Sequence, residues 1–327
     1  MTRAGSDQLF GAGVVERAMR AALLGLSHRR SIGRLATRLP VTRAMVGRFV
    51  AGETMAAALP SIERIRAAGY RTTLDILGEA VRSAEAARAA ANGYVAALGV
   101  LRDQDLEQNV SIKLSQMGLA IDPALARENV ARILTAAATS SGFVRIDMED
   151  HTTIDATLAL WAELRPIMAG SGDVGVVLQS ALLRTPADAD RLIAAGARIR
   201  LCKGAYREPA TVAHKDKAEV DAAYLAVARR LLDEGSYPAL ATHDDRIVDE
   251  LIDHARAHDI APERFEFQML FGVRRDLQER VLRDGWTVRI YVPMGEQWYP
   301  YFMRRLAERP ANVIFLLRSL WRERRAG

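Results

Sequence analysis

From about residue 70 onward the chain alternates two patterns. Short apolar runs rich in Val, Ile and Leu are each followed by a longer stretch whose apolar positions recur every three or four residues, the strand and helix periods respectively. The short runs predict eight strands: RTTLDIL at 71–77, NVSIKLS at 109–115, FVRIDM at 143–148, VGVVLQ at 174–179, ARIRLC at 197–202, YPALATH at 237–243, FEFQML at 265–270 and TVRIYV at 287–292. Helices are predicted between them at 80–98, 123–139, 152–169, 186–195, 215–234, 245–258 and 274–284, with one more at 296–308. Thr185-Pro186 and Asp244-Asp245 are helix start signals. The first 66 residues read differently, as helices at 14–26, 32–39 and 41–51 and the start of one at 55–68, separated by Pro40 and a turn at Gly52.

Eight strand–helix units over about 240 residues match the α/β class in its (β/α)8, TIM-type barrel form. A doubly wound open sheet is the competitor, but it would open with a glycine-rich fingerprint after the first strand. Leu77-Gly78-Glu79 is not that fingerprint. The predicted organisation is a helical arm at 1–66, a barrel at 67–309 and a basic tail at 310–327.

Composition narrows this further. The chain has 327 residues, half of them apolar and 26% charged, which suits one large core and excludes wholesale disorder. With 23 Gly, 11 Pro and one Cys, collagen-like, mucin-like and disulfide-stapled readings fall away. Cys202 has no partner for a disulfide within the chain, which fits a reducing compartment or a redox-indifferent one. The stretch from Ala21 to Leu26 is too short to span a membrane, and Arg20 and His28-Arg29-Arg30 around it do not make a signal peptide, so a cytoplasmic location is expected. The formal charge of +5 reads as solubility rather than affinity for nucleic acid or an anionic membrane. Only four of the 45 basic residues are lysines (Lys113, Lys203, Lys215 and Lys217), so lysine positions are informative.

The active site of a barrel lies at the C-terminal ends of its strands. Those ends are polar here: Lys113 on the second strand, Asp147 on the third, Gln179 on the fourth, Arg200 and Lys203 on the fifth. Thr242-His243, Gln268 and Tyr291 follow on the sixth, seventh and eighth. Period-two alternation puts Ser111, Lys113 and Ser115 on one face. Inward charges need each other or a ligand. Ordinary polar barrel layers would account for any one of these residues. They account less well for the set, because two of four lysines fall at strand ends. On the last helix, Tyr301, Arg304, Arg305 and Glu308 share spacing suited to an anion clamp, or simply to a solvated face in an arginine-rich chain. Cys202 reads as a small core residue. Asp147, Glu149, Asp150 and His151 lack enough nearby histidines for a hydrolase-type metal centre, so no metal site is expected. A Schiff-base role for Lys113 or Lys203 stays open.

Six segments taken together resemble the proline dehydrogenase family: Ser111–Ser115 (SIKLS), Ile146-Asp147-Met148-Glu149, Arg200–Tyr206 (RLCKGAY), Ala241-Thr242-His243, Phe265–Leu270 (FEFQML) and Arg289–Gly295 (RIYVPMG), followed by Tyr301 with Arg304-Arg305. The resemblance runs in order from about residue 70 to residue 310. It implies a distorted (β/α)8 barrel that binds FAD and oxidises L-proline to 1-pyrroline-5-carboxylate, the first step of proline catabolism. A hydride would pass to flavin N5 and electrons to a membrane quinone. The short tail implies the monofunctional enzyme, without the extra domains of proline utilization A proteins. Peripheral contact with the cytoplasmic face of the inner membrane and hand-off of product to a separate 1-pyrroline-5-carboxylate dehydrogenase go with the same resemblance; no nucleic-acid partner is expected, since the sequence shows no recognition helix or aromatic platform.

The family's roles, carried over position by position, give Lys113, Arg304 and Arg305 the proline carboxylate, and Tyr206, Leu270 and Tyr291 the ring. Asp147 and Arg200 become the catalytic pair, Asp147 orienting the cations and Arg200 lying near flavin N5. Met148 and Gln179 contact the isoalloxazine region. Lys203 and the Gly204-Ala205 backbone take the pyrophosphate, and Thr242, His243 and Glu308 the adenosine half. Glu79 pairs with Arg304 as a gate. One position departs from the pattern: Arg207 stands where the bifunctional proteins carry a tryptophan against adenine. The substrate amine must lose its proton before hydride leaves, and no general base stands out in the motifs.

Overall fold

The computed structural model describes residues 46–78 and 80–308, the side chains of 304–308 excepted. Eight parallel strands close into a barrel in sequence order, β1 to β8. They are β1 Arg71–Ile76, β2 Asn109–Lys113, β3 Phe143–Asp147, β4 Asp173–Gln179, β5 Ile199–Cys202, β6 Ala239–Ala241, β7 Glu266–Leu270 and β8 Val288–Met294. Around them run α1 Met55–Ala67, α2 Ala84–Asp103, α3 Pro123–Ala138, α4 Ile154–Leu164, α5 Thr185–Ala194, α6 Lys217–Glu234, α7 Asp245–Ala257, α8 Arg275–Arg283 and α9 Trp298–Glu308.

The barrel expectation holds, and its strands alternate for a physical reason. Strands buried on both faces usually read as continuous apolar runs. Here Val110 and Ile112 on β2, and Val144 and Ile146 on β3, face the helices in the main core, whereas Ser111 and Arg145 between them belong to a polar interior. That interior is ionic. Arg289, 1% exposed, donates through Nε to Glu266 Oε1 at 2.8 Å and through Nη1 to the Thr72 carbonyl at 2.6 Å, and its Nη2 meets Glu107 at 2.8 Å. Arg145 donates to the Val176 carbonyl at 3.1 Å. It passes so close to β4 that a Cβ on Gly175 would lie 2.4 Å from its Nη1, so only glycine fits there.

Several boundaries move. β2 stops at Lys113, because Leu114–Met117 form a single helical turn closed by Gly118 in the left-handed region. Ser115 therefore leaves the strand face it was expected to share with Lys113. β6 shrinks to three residues, since Tyr237 sits at φ +46° and Pro238 has no N–H to donate. The helix expected over 152–169 divides around Pro166 into α4 and a short 3-10 turn, Arg165–Met168. The helix predicted from residue 80 starts at Ala84, where the Ser83 hydroxyl accepts the Ala86 N–H at 3.2 Å.

Residues 46–53 lie along the C-terminal rim of the barrel. The Ala51 N–H donates to the Pro293 carbonyl, and the Gly295 N–H to that of Gly52, both at 2.9 Å. The Trp298 indole donates to Glu53 at 2.9 Å, and the Phe49 and Phe302 rings stand 6.3 Å apart. This segment braces α9, a role that the sequence pattern did not suggest.

Candidate active site

Three strand-end side chains meet around the carboxylate of a fourth. Asp147, at the end of β3, accepts from Arg200 Nη1 at 2.7 Å and from the Tyr291 hydroxyl at 3.0 Å, and Lys113 Nζ lies 3.3 Å from its Oδ2. Lys113 also donates to Tyr291 Oη at 3.2 Å. Arg200 is nearly buried; its Nε donates to Gln268 Oε1 at 2.6 Å and its Nη2 to Ser111 Oγ at 2.9 Å, and its guanidinium lies 5.3 Å from the Tyr291 ring centre. Parallel pairing produces this convergence: Lys113 lies beside Asp147, and Leu270 beside Tyr291.

The structure adds a residue that the motifs did not single out. Asp75, 2% exposed on β1, accepts from Lys113 Nζ at 2.8 Å. Its only sequence signal is a lone acid among the apolar and hydroxyl residues that follow Arg71, one strand away from an inward lysine. Burial alone would lower the Lys113 pKa, but Asp75, Tyr291 and Asp147 outweigh it and hold the ammonium well above its ordinary value. Burial, with the charges of Asp147 and Asp75, keeps Tyr291 a neutral phenol that can donate. Burial pushes the Cys202 thiol up to about 11, and the side chain packs, partly buried, against the cluster of Val177 and Leu182.

These states bear on the open alternatives. A Schiff-base lysine must be a free amine. Lys113 is held charged, and Lys203 is engaged by Asp221 at 2.6 Å and Asp244 at 3.2 Å. The group considered for a metal disperses. Glu149 accepts the Ser115 N–H at 2.8 Å, Asp150 caps the turn at Thr152, and the His151 ring bonds to Glu208.

Several of the residues expected at a cofactor lie at the neighbouring strand ends. Gln179 donates to the Glu149 carbonyl at 2.7 Å. Gly204 follows at φ +108°, where a Cβ would stand 2.9 Å from Gln179 Oε1. The backbone there is therefore bare, next to Ala205. Tyr206 is 45% exposed and Leu183, after β4, 49% exposed, two large apolar side chains open at the same end of the barrel. Thr242 Oγ1 accepts the Asp244 N–H at 3.1 Å, and His243 Nε2 accepts the Leu270 N–H at 2.9 Å, tying the β6 end to β7. Met148 does not face open space; it packs with Val177, Leu182 and Ala213 in a satellite core. Glu79, and the side chains of Arg304, Arg305 and Glu308, lie outside the described residues.

Comparison with known proteins agrees with the resemblance. The family model "Proline dehydrogenase" matches residues 58–318. The chain is 39% identical over 279 residues to Proline dehydrogenase 2 of Bacillus subtilis, covering 85% of this chain and 91% of that one. It is 38% identical to Proline dehydrogenase of Deinococcus radiodurans, over 94% and 99% of the two chains. Among solved structures, proline utilization A of Bdellovibrio bacteriovorus, inactivated by N-propargylglycine, superposes with a TM-score of 0.75 at 26% identity. That match covers 81% of this chain and 32% of the larger one.

Proposed function

The chain belongs to the proline dehydrogenase family, and from that premise we propose that it oxidises L-proline to 1-pyrroline-5-carboxylate at the mouth of its barrel, with FAD as hydride acceptor. The observation that carries this reading is the Asp147-centred cluster. It holds two cations and a neutral phenol in fixed positions beside a rim of bare backbone and open apolar side chains. Such a site suits a small amino acid on one side and an aromatic, anionic cofactor on the other.

The described residues fit the cofactor. The bare backbone at Gly204 admits a large group, Leu183 and Tyr206 offer apolar surface, and Arg200 and Lys203 supply positive charge. Bound FAD would supply the two-electron acceptor. On this reading the Arg200 guanidinium stabilises negative charge that develops on the ring system, its own position fixed by Asp147, Ser111 and Gln268. Gln179 borders the ring, whereas Met148, packed with Val177, Leu182 and Ala213, does not. Lys203 exchanges Asp221 and Asp244 for the pyrophosphate, while Lys217 remains to balance those aspartates. Gly204 and Ala205 lend backbone to the same group, and Thr242, His243 and Glu308 border the adenosine.

On the substrate side, Lys113, Arg304 and Arg305 hold the carboxylate. Tyr206, Leu270 and Tyr291 enclose the ring, and Glu79 closes the site through Arg304. Asp75 and Asp147 keep Lys113 charged and aimed. The electrons then pass to a quinone at the cytoplasmic face of the inner membrane, and the product to a separate 1-pyrroline-5-carboxylate dehydrogenase. Among the described residues no helix is long and apolar enough to cross a membrane.

Two experiments probe the pocket. Lys113→Ala removes one charge-assisted contact of about 1.5–3 kcal/mol, so the proline KM should rise roughly 10- to 100-fold with flavin still bound. A normal KM would refute the carboxylate role. Tyr291→Ser opens the edge of the ring site and should narrow the preference for proline over hydroxyproline in kcat/KM; unchanged discrimination would remove that role. The overall assignment is tested with N-propargylglycine. Time-dependent loss of activity, slowed by proline, is expected, and indifference to the compound would count against a shared site chemistry.

A further inference from the structure

We propose that Asp233, His254 and His258 form a binding site for a zinc-like divalent transition-metal ion on the outer wall of the barrel, where α6 and α7 end. The strand ends hold no expected metal site; this group lies on helices instead. Asp233 is in the last turn of α6, His254 in the last turn of α7, and His258 is the residue that caps α7. Each offers one ligand atom, and these atoms lie within 4.8 Å of one another, in a site that is empty.

The chemistry of the three groups suits such an ion. His254 and His258 are one helical turn apart and so share a face. Their rings stack with centres 4.0 Å apart. His258 Nδ1 stands 2.8 Å from the His254 carbonyl, which can only accept. The proton is therefore on Nδ1, and the Nε2 lone pair is left for a ligand, the arrangement that outer contacts impose on metal-binding imidazoles. His254 Nε2 lies 2.7 Å from Asp233 Oδ1. An ion bound to both at about 2.0–2.2 Å displaces the shared proton, and a tetrahedral angle sets the two atoms about 3.4 Å apart, a shift of roughly 0.7 Å for side chains at two helix ends. Two imidazoles and one carboxylate favour zinc, cobalt, nickel or copper over magnesium or calcium, and leave a position for water.

The surroundings favour a cation. Helix C-termini carry partial negative charge, and two of them meet here. The nearest arginines on α6 are already engaged, Arg229 by Glu250 at 3.3 Å and Arg230 by Asp190 and Glu234 at 3.1 and 3.5 Å. His254 is largely covered, with its side chain 12% exposed, and Asp233 stays open to solvent at 41%. A bound ion would staple α6 to α7 at the end of the barrel opposite the active site.

The test uses the full-length, tag-free flavoprotein, dialysed to equilibrium against Zn2+ and then melted with and without the ion. One Zn2+ per chain is expected, with a higher melting temperature in its presence. His254→Ala and His258→Ala should each weaken binding by more than the roughly tenfold that loss of an outer-shell partner causes. Both should abolish the zinc-dependent rise in melting temperature while proline oxidation stays at the parent level. His258 sits at an exposed helix cap, so His258→Ala remains informative even if His254→Ala fails to fold. Absence of saturable binding, or undiminished binding in His258→Ala, would overturn the proposal and leave a hydrogen-bonded His–Asp pair.

Discussion

Asp147→Ala is expected to lower kcat/KM for L-proline about a thousandfold, the upper range for removing one preorganised electrostatic partner. Three donors converge on this carboxylate: Arg200 at 2.7 Å, Tyr291 at 3.0 Å and Lys113 at 3.3 Å. Without it Arg200 keeps Ser111, Gln268 and the face of Tyr291, and Lys113 keeps Asp75 and Tyr291. Both cations then lose the geometry that places them against substrate and cofactor. The loss should fall on kcat as well as KM, because orientation matters more in the transition state than in binding. Asp147→Asn keeps an acceptor for Tyr291 but not the charge, and should fall between parent and alanine variant. Steady-state kinetics on variants of measured flavin content decide the matter. A rise in KM with kcat unchanged, or less than about a tenfold loss in kcat/KM, would contradict this orienting role of the carboxylate.

Glu266→Gln is expected to destabilise the fold by about 3–5 kcal/mol, a fall in melting temperature of roughly 10 °C. Arg289 is almost fully buried, and Glu266, itself 2% exposed, is its buried carboxylate partner at 2.8 Å, whereas Glu107 is 40% exposed. Burial would raise the Glu266 pKa, but Arg289 outweighs it and pulls the group from 4.5 to about 2. Because the folded value is the lower one, this ion pair stabilises the protein fully above the unfolded pKa. The contribution, about 3 kcal/mol, fades as pH falls from about 4.5 towards 2. Melting curves in that acid range should therefore steepen their pH dependence in the parent and flatten it in Glu266→Gln. Equal slopes would mean that the pair does not carry the acid lability.

The reason some of this is legible in the sequence and some is not lies in what each residue contacts. Eight strands show because apolar runs and helical stretches have different periods, and Lys113, Asp147, Arg200 and Tyr291 show because inward charge at a strand end is unusual. The parallel register then brings those four together. Asp75 stays hidden: nothing near it in sequence signals a cation, and its partner comes from the next strand, 38 residues on. The brace at 46–53 is hidden for the same reason, since Glu53 meets Trp298 across 245 residues. β6 is overextended by its apolar run because backbone strain at Tyr237 leaves no mark in the hydrophobic pattern. The Asp233–His254–His258 group escapes a search of strand ends because its members lie on the outer helices.

The most direct test of the central claim is the visible absorption spectrum of the purified protein, recorded without oxygen before and after L-proline is added. Oxidised-flavin bands that bleach on addition are the result expected of an FAD-dependent proline dehydrogenase with the site assembled around Asp147. A protein that stays colourless after reconstitution with FAD would contradict the cofactor, and flavin bands indifferent to proline would contradict the substrate.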